Sequence, residues 1–317
     1  MIALRKAYKP LGILCLMGLA GCTDLPWSSE RPEARPDLPD VPVAAPEPSD
    51  ESNELAIYYR RLQNDLLAQG LLRGDGGGPD TPFTDTILAR NFVRIALFDE
   101  YVTDGDFLKP QATLSKLRRW DKPIRMMVEF GPSVSANQRM KDSASVASFA
   151  DRLGRLTGVS ISQTQRNPNF HVLFASEDDR PAFAERIREI VPGIATSSLN
   201  AIINLPRDQL CIVIAFSEGE SASYSKAIAL IRAEHPPLLR TSCIHEELAQ
   251  AMGLANDSPQ ARPSIFNDDE EFGLLTTHDE LLLKILYDPR LETGMQPAEA
   301  APIARIIARE LTVATPS

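Results

Sequence analysis

Residues 244–257 read IHEELAQAMGLAND, and residues 262–268 just behind them read RPSIFND. Ile244, Leu248, Ala251 and Met252 recur at helical spacing and form one apolar stripe. Glu246, Gln250 and Gly253 follow at i, i+4 and i+7, on the face turned away from that stripe. Gly253 is a natural helix stop, because a left-handed cap favours glycine. The spacing therefore predicts a helix that buries one side and offers a carboxylate and an amide on the other. Both side chains supply oxygen donors suited to a hard metal or a polar ligand.

This stretch resembles the active-site helix of a zinc peptidase whose metal ligands have been exchanged. Metzincins carry HExxHxxGxxH, with His residues as ligands and Glu acting on the bound water, followed by a turn containing Met. With Gly253 on the family glycine, Glu246 falls on the first His position, Glu247 on the catalytic Glu, Gln250 on the second His and Asn256 on the third. Phe266, in the run Pro263-Ser264-Ile265-Phe266, then stands where the Met of the turn would be. Farther on, LTTHDELLLKILYDPR at 275–290 is similar to the closing helix of matrixin-like domains, LTxxDxxxxxxLY. The stretches LRRWDKPIRMMVEFG, CIVIAFS and EELAQ also resemble a family of bacterial envelope lipoproteins of unknown function, grouped with metallopeptidase-like folds. The resemblance implies a zincin-like domain with its sheet over the helix.

No His stands at any of the three ligand positions. Zn²⁺ favours imidazole and thiolate, so a carboxylate and two amides make a weak site for it. Two readings stay open: a binding or scaffold protein on a degenerate peptidase-like fold, or a metal-dependent hydrolase. The second would use a divalent ion at Glu246, Gln250 and Asn256, with Glu247 as general base.

The chain opens with a basic segment, MIALRKAYK, an apolar run, LGILCLMGLAG, and then Cys22. Leu19-Ala20-Gly21-Cys22 has the form of a lipobox, and the apolar core is too short to span a bilayer. The expectation is a signal peptide over 1–21 and a lipidated Cys22 anchoring the protein in the bacterial cell envelope, facing the periplasm. Thr23 after the cysteine favours outer-membrane sorting. Prolines at 26, 32, 36, 39, 42, 46 and 48 make residues 22–52 an extended, disordered tether.

The formal net charge is −10, and loss of Arg5, Lys6 and Lys9 with the signal brings it to −13. With no basic cluster, nucleic acid is excluded as a partner. An envelope protein, a peptide or a glycan fits better. Cys211 and Cys243 remain after processing, in an oxidising compartment. A disulfide between them would tie a core strand to the helix start; two buried reduced thiols are the alternative.

The remaining pattern predicts an amphipathic helix over 53–73 capped by Ser52 or Asn53, a hinge at GDGGGPDTP, and one α+β domain over 83–295 with about four strands. Strands are expected at 124–130, 169–176 and 211–217, the last nearly all apolar and so central. Helices are expected at 143–157, 181–190, 221–233, 239–253 and 278–287, and a C-terminal helix and tail at 296–317. His171 reads as an exposed or cross-strand residue, and His235 as a helix-end residue complementing the dipole. His245 and His278 are the histidines placed to approach the cleft. The acidic run at 267–271 reads as a solvated loop.

Overall fold

The structure is a computed structural model describing residues 45–267 and 269–314. The expected signal peptide, the expected lipidation site Cys22 and the expected tether as far as residue 44 lie outside the described residues, as does Asp268. The architecture is α+β. The main sheet has the order β4-β3-β5-β7-β6. Its members are β3 (Ile124–Phe130), β4 (Ile161–Gln163), β5 (Phe170–Ala175), β6 (Cys211–Ser217) and β7 (Tyr224–Arg232). β3 pairs in parallel with β4 and β5, and β5 with β7, whereas β6 runs antiparallel to β7. A separate hairpin joins β1 (Phe98–Asp104) to β2 (Phe107–Leu114).

Helices cover both faces of the sheet. α3 (Ala136–Thr157), α6 (Pro237–Gln250) and α7 (Thr277–Leu286) share one apolar core with Val172, Phe174, Ala227 and Ala229. α4 (Arg180–Ile190) and α5 (Thr196–Ile203) cover the alternate residues Leu173, Ala175, Ile228 and Leu230. α1 (Asp50–Ala68) lies against α6 through Tyr59 and Leu239, while α2 (Asp85–Ala96) lies against α8 (Pro297–Ala314). No helix among the described residues is long and apolar enough to cross a membrane.

Several expectations are overturned. The stretch 221–233, expected as a helix, instead contains strand β7 at Tyr224–Arg232. Ala227 to Arg232 are buried without a break, so the run has no polar face whose period could distinguish strand from helix. β6 is an edge strand of the sheet, as β4 is at the other side, and β3, β5 and β7 are the interior ones. β6 is apolar because its inward residues meet α5 and α6, not because strands flank it on both sides. α1 starts at Asp50, with Ser49 as its cap accepting from the Ser52 backbone N–H. The glycine-rich run is bonded to a distant segment: Thr277 donates to Gly76, and just before the run Leu72 and Arg73 donate backbone bonds to Glu270 and Glu271. Arg73 also pairs with Asp75, Asp80 and Glu271.

The C-terminal end of α6 is held by residues from two distant segments. Trp120 Nε1 donates to the Ala251 carbonyl at 2.8 Å, and the Tyr287 hydroxyl donates to the Met252 carbonyl at 2.8 Å. These satisfy carbonyls that a helix end leaves orphaned. Gly253 has φ +121°, and a Cβ there would run into the Arg118 carbonyl. Gly253→Ala is therefore expected to destabilise the fold by about 2–4 kcal/mol, combining backbone strain with overpacking. Urea unfolding monitored by tryptophan fluorescence measures the difference, and a loss under about 1 kcal/mol would contradict the close packing described.

Candidate functional site

α6 carries Ile244 and Leu248 into the core and the turn after it carries Ala251 and Met252, and all four are buried. Its other face, with Glu246, Glu247 and Gln250, lines a cleft of about 220 Å³. The hairpin contributes Glu100 and Tyr101, the approach to β6 contributes Asp208 and Gln209, and Asp257 and Glu270 close the side beyond the helix. Among the described residues, none that lines the cleft is Lys, Arg or His.

The disulfide Cys211–Cys243, with Cα atoms 5.9 Å apart, ties the edge strand to α6 beside the two glutamates. Oxygens of Glu246 and Glu247 and the sulfur of Cys211 lie within 4.8 Å of one another. A disulfide sulfur is not a thiolate, so the carboxylates carry any ligating capacity there. Gln250 donates from Nε2 to Asp257 Oδ1 at 3.0 Å, and Gln209 Nε2 donates to the Tyr101 hydroxyl at 2.6 Å. Glu247 is 3 % exposed, and its Oε2 has no hydrogen-bond partner among the described residues. A buried acceptor left unpaired costs about 1–3 kcal/mol and calls for an explanation.

Burial, then the nearby charges of Glu100 and Asp257, pushes the Glu247 carboxyl well above the usual range. Desolvation, then Asp257, Glu247 and Glu270, does the same to Glu246. Desolvation and the same carboxylates push the Tyr101 hydroxyl upward. The site concentrates negative potential in a partly dry pocket, which a cation would relieve.

Asn256, expected as a third ligand, is turned away. Its side chain donates to the Arg94 carbonyl at 2.8 Å and its backbone to Ile95, tying the loop to the end of α2. The neighbouring Asp257 takes the place in the cleft. The three positions expected as ligands thus hold a carboxylate, an amide engaged with Asp257 and an amide pointing elsewhere, a set that does not fit Zn²⁺.

The histidines serve structure. His245 stacks on Phe149 with ring centroids 4.0 Å apart and accepts from the Leu275 N–H at 3.2 Å. Burial, with Arg152 nearby, pushes it down to about 3, so it stays neutral. His278 does not approach the cleft; it is fully buried against Asn91 at 3.1 Å. His171 is buried rather than exposed, bonded across the strands to Glu129 at 2.7 Å. His235 follows β7 and packs edge-on against Tyr59, with no helix before it to complement.

The residues matched by the closing-helix pattern are also structural. Asp279 is fully buried and accepts from Ser264 Oγ at 2.5 Å, Ile265 N at 3.0 Å and Thr276 N at 3.0 Å. It completes a capping box with Thr276 and pins the turn that carries Phe266 into the core. The acidic run divides: Glu270 faces the cleft while Glu271 pairs with Arg262 and Arg73.

Glu100, Tyr101 and Asp208 reach the cleft from segments whose sequence carries no motif. Asp257 and Glu270 lie in stretches already singled out, but only the fold turns them toward Glu247.

Fold and site together define an α+β domain with a carboxylate-lined cleft beside the edge strand of its sheet. Residues 85–306 match the family described as "Protein of unknown function (DUF2927)"; the match spans well over half of the chain, and the chain belongs to that family. No curated protein matches the chain.

Proposed function

We propose that the chain is a lipid-anchored cell-envelope protein, facing the periplasm, whose degenerate metallopeptidase-like core binds a hard divalent cation in the acidic cleft. Cys22 in its lipobox supports the anchor, and Thr23 favours the outer membrane. The observation that carries the binding reading is the buried, unpartnered Oε2 of Glu247, set among Glu246 and other carboxylates with no basic residue in the lining. Carboxylate oxygens suit Ca²⁺ or Mn²⁺ far better than Zn²⁺. A bound cation would hold the hairpin, α6 and the 265–272 loop together. That arrangement suits a binding or scaffold role toward an envelope protein, peptide or glycan.

The raised carboxyl of Glu247 also favours a second reading, hydrolysis with Glu247 as general base. The loss of Asn256 from the site removes one of the three ligands this reading would use.

Metal content separates the readings. Residues 45–317, exported to the periplasm and purified without chelator, are titrated with Ca²⁺, Mn²⁺ and Zn²⁺ by calorimetry. Near-stoichiometric Ca²⁺ or Mn²⁺ is expected, weakened at least tenfold in Glu247→Gln. Binding of none of these ions, or equal binding by the variant, removes the cation from the proposal. Turnover of a peptide library that depends on Glu247 would replace the binding role with the hydrolase.

A further inference from the structure

A second crevice lies at the carboxyl ends of the parallel strands. The chain leaving β3 crosses through α3 to β4 on one side, whereas the chain leaving β5 passes through α4 and α5 to β6 and β7 on the other. α3 and α4 pack on opposite faces of the sheet. The winding therefore reverses between the adjacent strands β3 and β5, and such a reversal opens a gap where α/β sheets commonly place ligands.

The gap is a cavity of about 290 Å³ lined by Ser133 and Ser135 beyond β3, Ser176 beyond β5, Glu234 beyond β7 and Ser52 from α1. Its walls are built firmly. Asp179 accepts from the backbone N–H of Ser133 at 3.2 Å and of Ser176 at 3.0 Å, and from the Ser133 hydroxyl. Gly131 admits no side chain, because a Cβ would collide with the Asp179 carboxylate.

Glu234 is 9 % exposed. Its Oε1 accepts from Ser52 Oγ at 2.9 Å and from the Glu177 N–H at 2.6 Å, while its Oε2 has no partner among the described residues. The lining Arg240 is already engaged with Asp142 at 3.0 Å and with the Ala233 and His235 carbonyls at 2.5 and 3.0 Å. An anion would meet the Glu234 carboxyl with no uncommitted cation to offset it. A cation would find a single free carboxyl oxygen among serine hydroxyls, a thin donor set for a hard ion. A neutral ligand that donates one hydrogen bond to Glu234 and exchanges others with the serine hydroxyls satisfies every group.

We infer that this crevice binds a neutral polyhydroxylated ligand, one sugar residue of a glycan, with a ligand hydroxyl donating to Glu234 Oε2. The cavity sits at the lower end of the range for small-molecule sites, roughly 300 Å³, which suits a single ring. The site is independent of the acidic cleft and does not rest on a cation there.

The test titrates the full chain with glucose, N-acetylglucosamine and the β-1,4-linked trimer of the latter, with phosphate and methylammonium as charged probes. At least one saccharide is expected to bind at millimolar concentration or below. Glu234→Gln, which keeps the shape but replaces the acceptor, is expected to weaken it at least tenfold, and Glu247→Gln to leave it unchanged. A normal unfolding transition of Glu234→Gln establishes that the variant folds. No saccharide binding at millimolar concentration, binding indifferent to Glu234→Gln, or Glu234-dependent binding of a charged probe instead would each overturn the inference.

Discussion

In chelator at neutral pH, the double variant Glu246→Gln, Glu247→Gln is expected to be more stable than the parent by about 1–3 kcal/mol, the scale of relieving uncompensated buried charge. Both carboxyls are raised in the folded chain by burial and by their acidic neighbours. Between the ordinary glutamate value of about 4.3 and the raised values, the folded chain holds more protons than the unfolded one. The contribution of these two groups is thus fully present below the ordinary value and is lost as the pH climbs through the raised ones. Thermal unfolding from pH 4 to 8 should show the parent losing stability across that window and the variant losing less. Calcium or manganese reverses the order, because a cation that binds only the folded chain adds about 2.7 kcal/mol at a hundredfold excess over its Kd. The gain should appear in the parent and vanish in the double variant. A double variant less stable than the parent in chelator would mean that the glutamates are paired in a way the cleft geometry does not provide.

Asp279→Ala is expected to be the most damaging single substitution in the domain, costing about 3–5 kcal/mol. The change strips the partner from three buried donors at once: Ser264 Oγ, Ile265 N and Thr276 N. The last of these bonds is the side-chain half of the capping box that starts α7. The turn at 263–266 would lose its anchor, and Phe266 with it. Asp279→Asn is expected to fall between the two, since the amide keeps one acceptor and places a donor against the others. Chemical denaturation of the three proteins ranks them, and a cost below about 1 kcal/mol for the alanine variant would show that the turn holds without Asp279.

These two experiments touch residues that the sequence singles out for different reasons. Glu246 and Gln250 are legible because a 3.6-residue period puts them on one face of a helix whose opposite face must be buried, and Glu247 through the resemblance to a peptidase motif. Asp279 and Tyr287 are legible only as members of a pattern, and their roles as turn anchor and helix cap need the distant partners Ser264 and Met252. The two-stranded hairpin at 98–114 does carry a local signal, the loop Gly105-Asp106 between the paired Asp104 and Phe107, with Gly105 at φ +60°. It supplies Glu100 and Tyr101 to the cleft, and nothing in their own neighbourhood marks them. Asn256 shows the opposite error: it stands at a ligand spacing, but the chain turns one residue too far and Asp257 enters instead.

By itself, the sequence determined the α+β class, most of the helices, three of the sheet's strands and the face of α6 that carries carboxylates. All of these follow from local period, capping chemistry and the need to bury apolar side chains. Tertiary structure alone decided that residues 224–232 are an interior strand, that β6 is an edge, and that carboxylates from the hairpin, the approach to β6, α6 and the 257–270 segment converge on one cleft. The reason is physical: a run buried on both faces has no amphipathic period to read, and the charge accumulated in a pocket depends on contacts between residues more than a hundred positions apart.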